Sequence, residues 1–314
     1  MTTAIVFPGQ GSQAPGMGRE LAEAHAEAAA VFDAVDDALG ERLSETIWNG
    51  SPDDVTLTRN AQPGLMAASL AAFRFLTTRL GGLPETVRYL AGHSLGEYSA
   101  LAAAGSFTIA DTAQLLRLRG DAMQRAVPAG KGAMAAIIGL DADAVAAIAS
   151  EAGGDETCDI ANDNGGGQIV LSGHTAAIER AIAAAKEAGA KRAVPLAVSG
   201  PFHSSLMQPA ADEMERALAE IGIEPPSFDV VANVTAAPER DPASIRRNLV
   251  VQITGTVRWR ESVEWLAAQG VTRVVELGSG KVLSGLVRRI VPEIAVLNAG
   301  TPSEVERVAE EISE

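Results

Sequence analysis

A serine enclosed by two glycines, in the run Gly-His-Ser-Leu-Gly at residues 92–96, constrains the fold more than any other feature of the chain. An apolar run at residues 87–91 precedes it, and the alanine-rich, helix-like residues 97–104 follow it. A strand that turns directly into a helix leaves little room for side chains beside the serine, which explains the glycines. The pattern predicts a nucleophile elbow, with Ser94 at a helix N-terminus whose N–H groups favour a developing negative charge. An ordinary turn built from Gly and Ser is the alternative interpretation.

Apolar runs and helix-like segments alternate around this motif. A first strand is predicted over Ala4–Phe7, a loop rich in glycine and glutamine follows it, and helices are predicted up to about Leu39 and over Pro63–Leu80. Alternating strands and helices are typical of a mainly parallel sheet with helices on both faces. We therefore predict an α/β fold, and since 314 residues exceed the usual size of one core, a second and smaller domain.

The alternation changes between about residues 130 and 197. The patterns there run in the order strand, helix, strand, strand, helix, strand, and the two central strands flank the turn-rich residues 162–167. This βαββαβ order is typical of a ferredoxin-like unit. We predict that residues 130–197 form a small domain, inserted in a discontinuous core of residues 1–129 and 198–314.

The composition excludes several classes of protein. The formal net charge is −15, from 25 basic and 40 acidic residues, whereas nucleic-acid binding needs a concentrated positive face. No apolar run approaches the roughly 20 residues that cross a bilayer, and the N-terminus lacks the charged start of a secretion signal. The single cysteine, Cys158, excludes an internal disulfide and suits a reducing compartment, so we expect a cytoplasmic protein.

Basic residues nevertheless cluster in two places. The clusters are Lys186, Lys191 and Arg192, and Lys281, Arg288 and Arg289. A solvated surface is the simplest interpretation of each cluster, and either one could complement an acidic partner.

The glycine-rich loops carry only weak signals for nucleotide binding. Residues 8–13, Pro-Gly-Gln-Gly-Ser-Gln, lack the third glycine of a dinucleotide fingerprint, and residues 278–281 lack the upstream glycine of a phosphate loop. A loop of this kind after a first strand can instead present N–H groups to an oxyanion. No Cys, His or carboxylate cluster has the spacing of metal ligands, so we predict no metal site and no permanently bound cofactor.

One of the four histidines is expected to act as the base that a serine nucleophile needs at neutral pH. His25 lies in a polar helix and is predicted to be at the surface, and His174 fits a helix cap. His93 adjoins the serine at a turn that separates neighbouring side chains. His203 follows the last strand of the insert, and strand ends are where α/β folds place functional groups. We therefore predict His203 as the base, with a core or capping histidine as the alternative.

Two arginines follow the serine motif by about one helix. An arginine in a pocket can bind a carboxylate through two parallel hydrogen bonds, although most arginines lie at the surface. The spacing alone does not distinguish Arg119 from Arg117.

Five motifs occur in one order along nearly the whole chain. They are Phe-Pro-Gly-Gln-Gly-Ser-Gln at residues 7–13, Gly-His-Ser-Leu-Gly-Glu at residues 92–97, Arg119-Gly120, Gly-Pro-Phe-His-Ser at residues 200–204, and Gln252 near Trp259. As a set they resemble the malonyl-CoA:acyl-carrier-protein transacylases, the malonyl-loading enzymes of fatty acid synthesis. The resemblance implies a hydrolase-like α/β core that carries a ferredoxin-like insert, in agreement with the segmentation above.

The resemblance also implies the catalytic roles. Ser94 would carry the malonyl group as an ester, and His203 would be its general base. The backbone N–H groups of Gln10 and Leu95 would form the oxyanion hole. The backbone carbonyl of Gln252 would orient the histidine, a task that an aspartate performs in many hydrolases.

The resemblance implies substrates and partners as well. Malonyl-CoA would donate the acyl group, Arg119 would bind its free carboxylate, and Phe202 would line the pocket, as is common in malonyl-specific members. The acceptor would be the phosphopantetheine thiol of an acidic acyl carrier protein, and we expect the enzyme to be a monomer. The alternatives are an acyltransferase of polyketide synthesis, a serine esterase or thioesterase, whose histidine usually lies nearer the C-terminus, and a non-catalytic nucleotide- or carrier-binding module.

Overall fold

The structure is a computed structural model that describes residues 1–313 and contains two β-sheets. The strands are β1 (Thr2–Phe7), β2 (Val87–Gly92), β3 (Gly132–Ile138), β4 (Cys158–Asp163), β5 (Gln168–His174), β6 (Arg192–Pro195), β7 (Asp229–Val231), β8 (Pro238–Glu239), β9 (Val271–Leu277) and β10 (Ala295–Ala299). The helices are α1 (Arg19–Ala24), α2 (Ala26–Leu39), α3 (Leu43–Asn49), α4 (Pro52–Thr56), α5 (Thr58–Leu80), α6 (Leu95–Ala103), α7 (Ile109–Arg125), α8 (Ala142–Gly153), α9 (Thr175–Glu187), α10 (Gln208–Ala219), α11 (Pro242–Thr254), α12 (Trp259–Ala268), α13 (Val282–Ile290) and α14 (Pro302–Ser313).

The larger sheet is mainly parallel, with the strand order β10-β9-β1-β2-β7-β8. Its neighbouring strands run parallel except for β7 and β8. In the central strand β1, residues 4–7 are fully buried without any polar alternation. That pattern follows from helices on both faces of the sheet, because both sides of each strand are then covered. The predicted α/β fold with a mainly parallel sheet is confirmed.

Small side chains allow the helices of the core to approach one another closely. The long helix α5 packs against α2, α7 and α14, and its alanines at positions 67, 68, 71 and 72 are buried. Alanine suits such contacts, since it favours the helical conformation and its small side chain lets two helix axes lie close together. The abundance of alanine and the scarcity of aromatic residues, 4% of the chain, both reflect this packing.

The smaller sheet is antiparallel, with the strand order β4-β5-β3-β6. Its alternating side chains face two environments, as the pleat of a strand requires. Ala135 and Ile137 of β3 belong to an apolar cluster with residues of α8 and α9. Met134 and Ala136, on the opposite face, line a cavity shared with the core. The small sheet therefore forms one wall of that cavity.

Backbone hydrogen bonds fix the small sheet against the core. Asp163 N–H donates to the carbonyl of Val257 at 3.0 Å, and Val257 N–H donates to the carbonyl of Ala161 at 2.9 Å. The side chain of Arg260 adds an ion pair to Asp163 at 2.8 Å. The strands β3 to β6 all lie within residues 130–197, and the limits of a separate domain there stay a prediction.

Several local expectations differ from the structure. The helix predicted up to Leu39 is interrupted at His25, whose extended backbone separates α1 from α2. His25 is half-buried rather than at the surface, because its ring stacks on Phe75 with 3.4 Å between the ring centroids. The helix predicted from Pro63 begins at Thr58, so this proline lies inside the helix instead of starting it. Within residues 1–313, no helix is long and apolar enough to cross a bilayer.

Candidate active site

Ser94 lies at the sharp turn between β2 and α6. Its φ of 54° and ψ of −114° place it in a region that residues with a side chain rarely adopt, and such strain concentrates at functional sites. No residue with a side chain fits at the two flanking glycines. A Cβ on Gly92 would lie 1.9 Å from the carbonyl oxygen of Gly96, and a Cβ on Gly96 would lie 2.2 Å from the carbonyl oxygen of Phe7. The turn therefore holds the serine hydroxyl at the edge of the sheet.

His203 reaches this hydroxyl from the opposite side of the cavity. Its Nε2 lies 2.8 Å from Ser94 Oγ, and its Nδ1 lies 2.8 Å from the backbone oxygen of Gln252. A carbonyl oxygen can only accept, so Nδ1 carries the proton and Nε2 is free to accept one from the serine. Burial, with the nearby Arg119 guanidinium as the next cause, lowers the pKa of His203 to about 3, so the ring is neutral at pH 7.

The carbonyl that orients His203 stands at the end of a helix. Gln252 is among the last four residues of α11, whose carbonyls lack an intrahelical N–H partner. The C-terminal end of a helix carries partial negative charge, which favours a cation beside it. The position thus stabilises the imidazolium that forms when His203 takes a proton.

Arg119 is a buried cation without a direct ion pair to any of residues 1–313. Its guanidinium donates to Gln62 Oε1 at 2.7 Å, to Gln252 Oε1 at 2.9 Å and to Ser94 Oγ at 3.1 Å. The residue is 1% exposed, and within residues 1–313 it forms no ion pair and its Nε has no hydrogen-bond partner. Burying an unpaired charge is costly, so the arrangement is suited to receiving a carboxylate from a ligand.

Arg117 lies in different surroundings on the same helix, α7. It pairs with Glu41 and donates to Asn60 at 3.2 Å, outside the cavity. The structure therefore brings Arg119 to the serine and leaves Arg117 in a peripheral ion pair, a distinction that their spacing did not make.

A cavity of about 600 Å³ opens beside the serine. Gln10, in the loop after β1, lies in its wall, and its side chain donates to Thr58 Oγ1 at 3.3 Å. Leu95 begins α6, so its N–H is among the first four of the helix, which have no intrahelical acceptor. Phe202, buried next to His203, forms part of the apolar wall together with Met134 of the small sheet.

The other histidines occupy structural positions. His93 is half-buried in the wall of the cavity, and its Nε2 lies 2.9 Å from Asn164 Oδ1, which holds the serine turn against the small sheet. His174 occupies the N-cap position of α9, but its side chain forms no hydrogen bond to the first turn of that helix. Its Nδ1 accepts instead from the backbone N–H of Thr157 at 2.9 Å. In residues 1–313 no three His, Cys, Asp or Glu side chains are grouped so that they could hold a metal ion.

Three polar residues complete the surroundings of the serine, and none of them was predicted as a site residue. Gln62 holds Arg119, Asn233 Oδ1 accepts from the N–H of Ser94 at 2.7 Å, and Glu97 accepts from Gln252 Nε2 at 2.7 Å. Only Glu97 had a signal, because it directly follows the second glycine of the elbow.

The two basic clusters differ in their relation to the cavity. Lys281 directly precedes α13 and Arg289 lies on it, and both are at the rim of the cavity. Arg289 donates to Gln168 of β5 at 3.3 Å. Lys186 and Lys191 are exposed on the small sheet and its helix, away from the cavity lining. The rim of the cavity therefore carries two basic side chains although the chain is acidic, and one of them, Lys281, pairs with Glu304 at 3.3 Å.

Comparisons with known proteins agree with this geometry. A family model described as an acyl transferase domain matches residues 4–299. A Bacillus subtilis protein named malonyl CoA-acyl carrier protein transacylase is 43% identical over 312 residues, which is 99% of this chain and 97% of that protein. The crystal structure of an acyl-carrier-protein-S-malonyltransferase from Bartonella henselae superposes with a TM-score of 0.97 at 52% identity, covering 100% of both chains.

A further solved structure contains a carrier. It is a complex described as a type II PKS acyl-carrier protein with its malonyl-transacylase, and it superposes with a TM-score of 0.95 at 41% identity, covering 99% of this chain and 100% of that one.

Proposed function

The chain belongs to the acyl transferase domain family, and on this basis we propose that it moves a malonyl group from malonyl-CoA to the phosphopantetheine thiol of an acyl carrier protein. One observation carries the choice of acyl group. The unpaired guanidinium of Arg119 lies 3.1 Å from Ser94 Oγ, which is within reach of a carboxylate on an acyl group attached to that oxygen. The transfer supplies extender units for fatty acid synthesis.

Acylation of the serine is the first half of the reaction. Ser94 Oγ attacks the thioester carbonyl while His203 Nε2 takes the hydroxyl proton, and the N–H groups of Gln10 and Leu95 stabilise the resulting oxyanion. The C–S bond then breaks, His203 returns the proton to the departing sulfur, and coenzyme A leaves as a thiol. The backbone carbonyl of Gln252 holds the imidazole in one tautomer throughout.

Transfer to the carrier reverses these roles. The phosphopantetheine thiol gives its proton to His203 Nε2 and attacks the malonyl-serine ester. The tetrahedral intermediate then breaks the C–O bond, and the proton returns to Ser94 Oγ. The apolar wall that includes Phe202 limits the access of water, which is the competing acceptor.

Arg119 selects acyl groups that end in a carboxylate. Holding the carboxylate away from the reacting carbonyl uses binding energy to orient the thioester. Exclusion of one methyl group from a pocket is worth only about 1–3 kcal/mol, so the preference for malonyl over methylmalonyl is weaker than that for malonyl over acetyl.

The finer description of the fold is part of this proposal. The strand order of the small sheet, with the element order β3-α8-β4-β5-α9-β6, supports a ferredoxin-like insert at residues 130–197. The parallel sheet with an elbow after β2 supports a hydrolase-like core of residues 1–129 and 198–314. A monomer in the cytoplasm without a permanently bound cofactor remains the expected form of the enzyme.

The basic rim of the cavity is the proposed binding site of the acidic carrier protein. Lys281 and Arg289 flank the opening through which a phosphopantetheine arm would reach the serine. Charge reversal of both should slow the carrier half-reaction, measured from enzyme that is already malonylated at Ser94. The matched control reverses Lys186 and Lys191; if the control slows the carrier step and the rim variant does not, the carrier meets the other cluster.

The intact mass of the protein after exposure to malonyl-CoA tests the function directly. The parent chain should gain one malonyl group, and addition of carrier protein should remove it with formation of malonyl-carrier. Ser94→Ala should gain nothing. Persistent labelling of this variant would show that another group is the nucleophile, and release of free malonate instead of transfer would show a thioesterase.

A carrier of polyketide synthesis is the second candidate acceptor. The complex of a type II PKS carrier with its transacylase, which covers this chain almost completely, favours it. Comparison of transfer rates to fatty acid and polyketide carriers at equal concentration separates the two.

A further inference from the structure

Glu97 is a buried carboxylate that takes no part in the steps above. It is 3% exposed, in the first turn of α6, and within residues 1–313 no cationic side chain forms an ion pair with it. Its hydrogen-bond donors are neutral N–H groups, and burial raises its pKa to about 7. A neutral side chain at this position would avoid the cost of burying a carboxyl group, so a specific need for an acceptor is expected.

The first partner of Glu97 is the side-chain amide of Gln252. Glu97 Oε2 accepts from Gln252 Nε2 at 2.7 Å, while Gln252 Oε1, at the other end of the amide, accepts from Arg119 at 2.9 Å. An amide group can present its oxygen or its NH₂ in either direction, and its neighbours decide between them. Glu97 Oε2 is the nearest acceptor of this NH₂ group, ahead of the carbonyl of Ser94 at 3.1 Å and Asn233 Oδ1 at 3.3 Å, and the amide oxygen is left to face the guanidinium.

The second partner is the residue after β7. The same oxygen, Glu97 Oε2, accepts from the backbone N–H of Asn233 at 3.0 Å. The side chain of Asn233 then spans the serine turn, since its Oδ1 accepts from Ser94 N–H at 2.7 Å and its Nδ2 donates to the carbonyl of Gly92 at 2.7 Å. One carboxyl oxygen thus anchors both the strained turn and the amide that holds the arginine.

We propose that Glu97 is a positioning residue whose carboxyl oxygen fixes Gln252 and Asn233, and through them the orientation of Arg119 toward the acyl group. This inference rests on the proposed function, because it assigns Glu97 to the selection of acyl groups that carry a carboxylate. Glu97 forms no hydrogen bond to the hydroxyl of Ser94 or to the imidazole of His203, so it transfers no proton in the reaction.

Two substitutions separate this role from general stability. Glu97→Met keeps the length of the side chain but removes the nearest of the three acceptors of Gln252 Nε2, leaving the Ser94 carbonyl at 3.1 Å and Asn233 Oδ1 at 3.3 Å. The Gln252 amide is then held less firmly, and its oxygen faces the guanidinium in a smaller share of the molecules. We expect kcat/KM for malonyl-CoA to fall about 10- to 100-fold, in line with the loss of hydrogen bonds to a carboxyl group. Transfer from acetyl-CoA, which does not use Arg119, should fall much less, so the malonyl-to-acetyl ratio drops about tenfold or more.

Glu97→Gln is the conservative variant. Its single amide oxygen can still accept from both N–H groups, so the ratio should return to within about threefold of the parent. Leu101→Ala, a buried apolar change on the same helix, is the matched control: it should lower thermal stability without changing the ratio.

The outcomes distinguish the inference from the function on which it rests. A parent chain that is not malonylated refutes the proposed function. A parent that is malonylated, together with a Glu97→Met variant that keeps the parental ratio, refutes the positioning role. If Glu97→Met does not fold, Glu97→Asp replaces it in the same comparison, because the shorter side chain withdraws the carboxylate from Gln252; an unchanged ratio in this variant refutes the role equally.

Discussion

Replacement of Arg119 by alanine should change the choice of acyl group more than the chemistry of transfer. The guanidinium is buried, has no anionic partner in residues 1–313, and donates to Gln62, Gln252 and the hydroxyl of Ser94. Its removal deletes the cation that lies 3.1 Å from the hydroxyl of Ser94, where a malonyl carboxylate would bind. It also removes a cation whose field lowers the pKa of His203, so the base becomes somewhat stronger.

The size of the effect follows from the burial of the pair. Loss of one partner of a desolvated charge pair costs about 2–5 kcal/mol, which corresponds to roughly a 30- to 4,000-fold fall in kcat/KM for malonyl-CoA. Acetyl-CoA has no carboxylate to lose, and the space left by the side chain admits its methyl group. Its rate should therefore stay level or rise, and the preference for malonyl should disappear.

The assay measures transfer from malonyl-CoA and acetyl-CoA to the same carrier protein, with intact mass reporting the acyl-serine. Arg117→Ala is the matched control, because that arginine lies on the same helix and pairs with Glu41 outside the cavity. It should leave the malonyl-to-acetyl ratio unchanged. An Arg119→Ala enzyme that keeps the parental ratio would remove this arginine from carboxylate recognition.

Three further predictions concern stability. The pKa of His203 is about 3 in the fold and 6.5 in the unfolded chain, so the unfolded state binds more protons between these two pH values. The free energy of unfolding therefore rises with pH in this range. His203→Gln should flatten the rise, as measured by urea titrations at pH 4 to 7. Glu97 acts in the opposite sense, because its pKa is about 7 in the fold and 4.5 in the unfolded chain. The free energy of unfolding therefore falls by on the order of 3 kcal/mol as the pH rises from 4.5 to 7. Glu97→Gln should remove this fall. Gly92→Ala would place a Cβ 1.9 Å from the oxygen of Gly96, so it should unfold the elbow or lower the melting temperature by many degrees, and a melting curve like that of the parent would contradict the geometry of the turn.

Local patterns predicted those parts of the fold that depend on neighbouring residues. Glycines on both sides of Ser94 fit only a tight strand-to-helix turn, and the structure has this turn between β2 and α6. Helices α3, α4, α11 and α14 and strand β10 were not predicted, because most are short or weakly amphipathic and depend on contacts with distant parts of the chain. Pro63 misplaced the start of α5, since a proline that often begins a helix lies inside this one.

The site was predictable only where a residue type suggests its own chemistry. The position of His203 in a loop after a strand made it the best candidate among four histidines, and the structure brings it to 2.8 Å from the serine. Arg119 and Arg117 were equivalent in the sequence, because only the packing of α7 decides which of them faces the cavity. Gln62 and Asn233 carry no local signal, since amide side chains are common at surfaces and their role depends on the groups that they meet in the fold.

The acceptor for His203 Nδ1 is the main chain of Gln252, and this has an evolutionary consequence. A peptide carbonyl does not take up a proton at acidic pH, as an aspartate would, and no exchange of one amino acid for another deletes it. Only an insertion, a deletion or a shift of the end of α11 would take it from the imidazole. Position 252 can therefore vary in its side chain, and with it the anchoring of the arginine, while the orientation of the base persists; a lineage is free to change which acyl groups it accepts without rebuilding its proton relay.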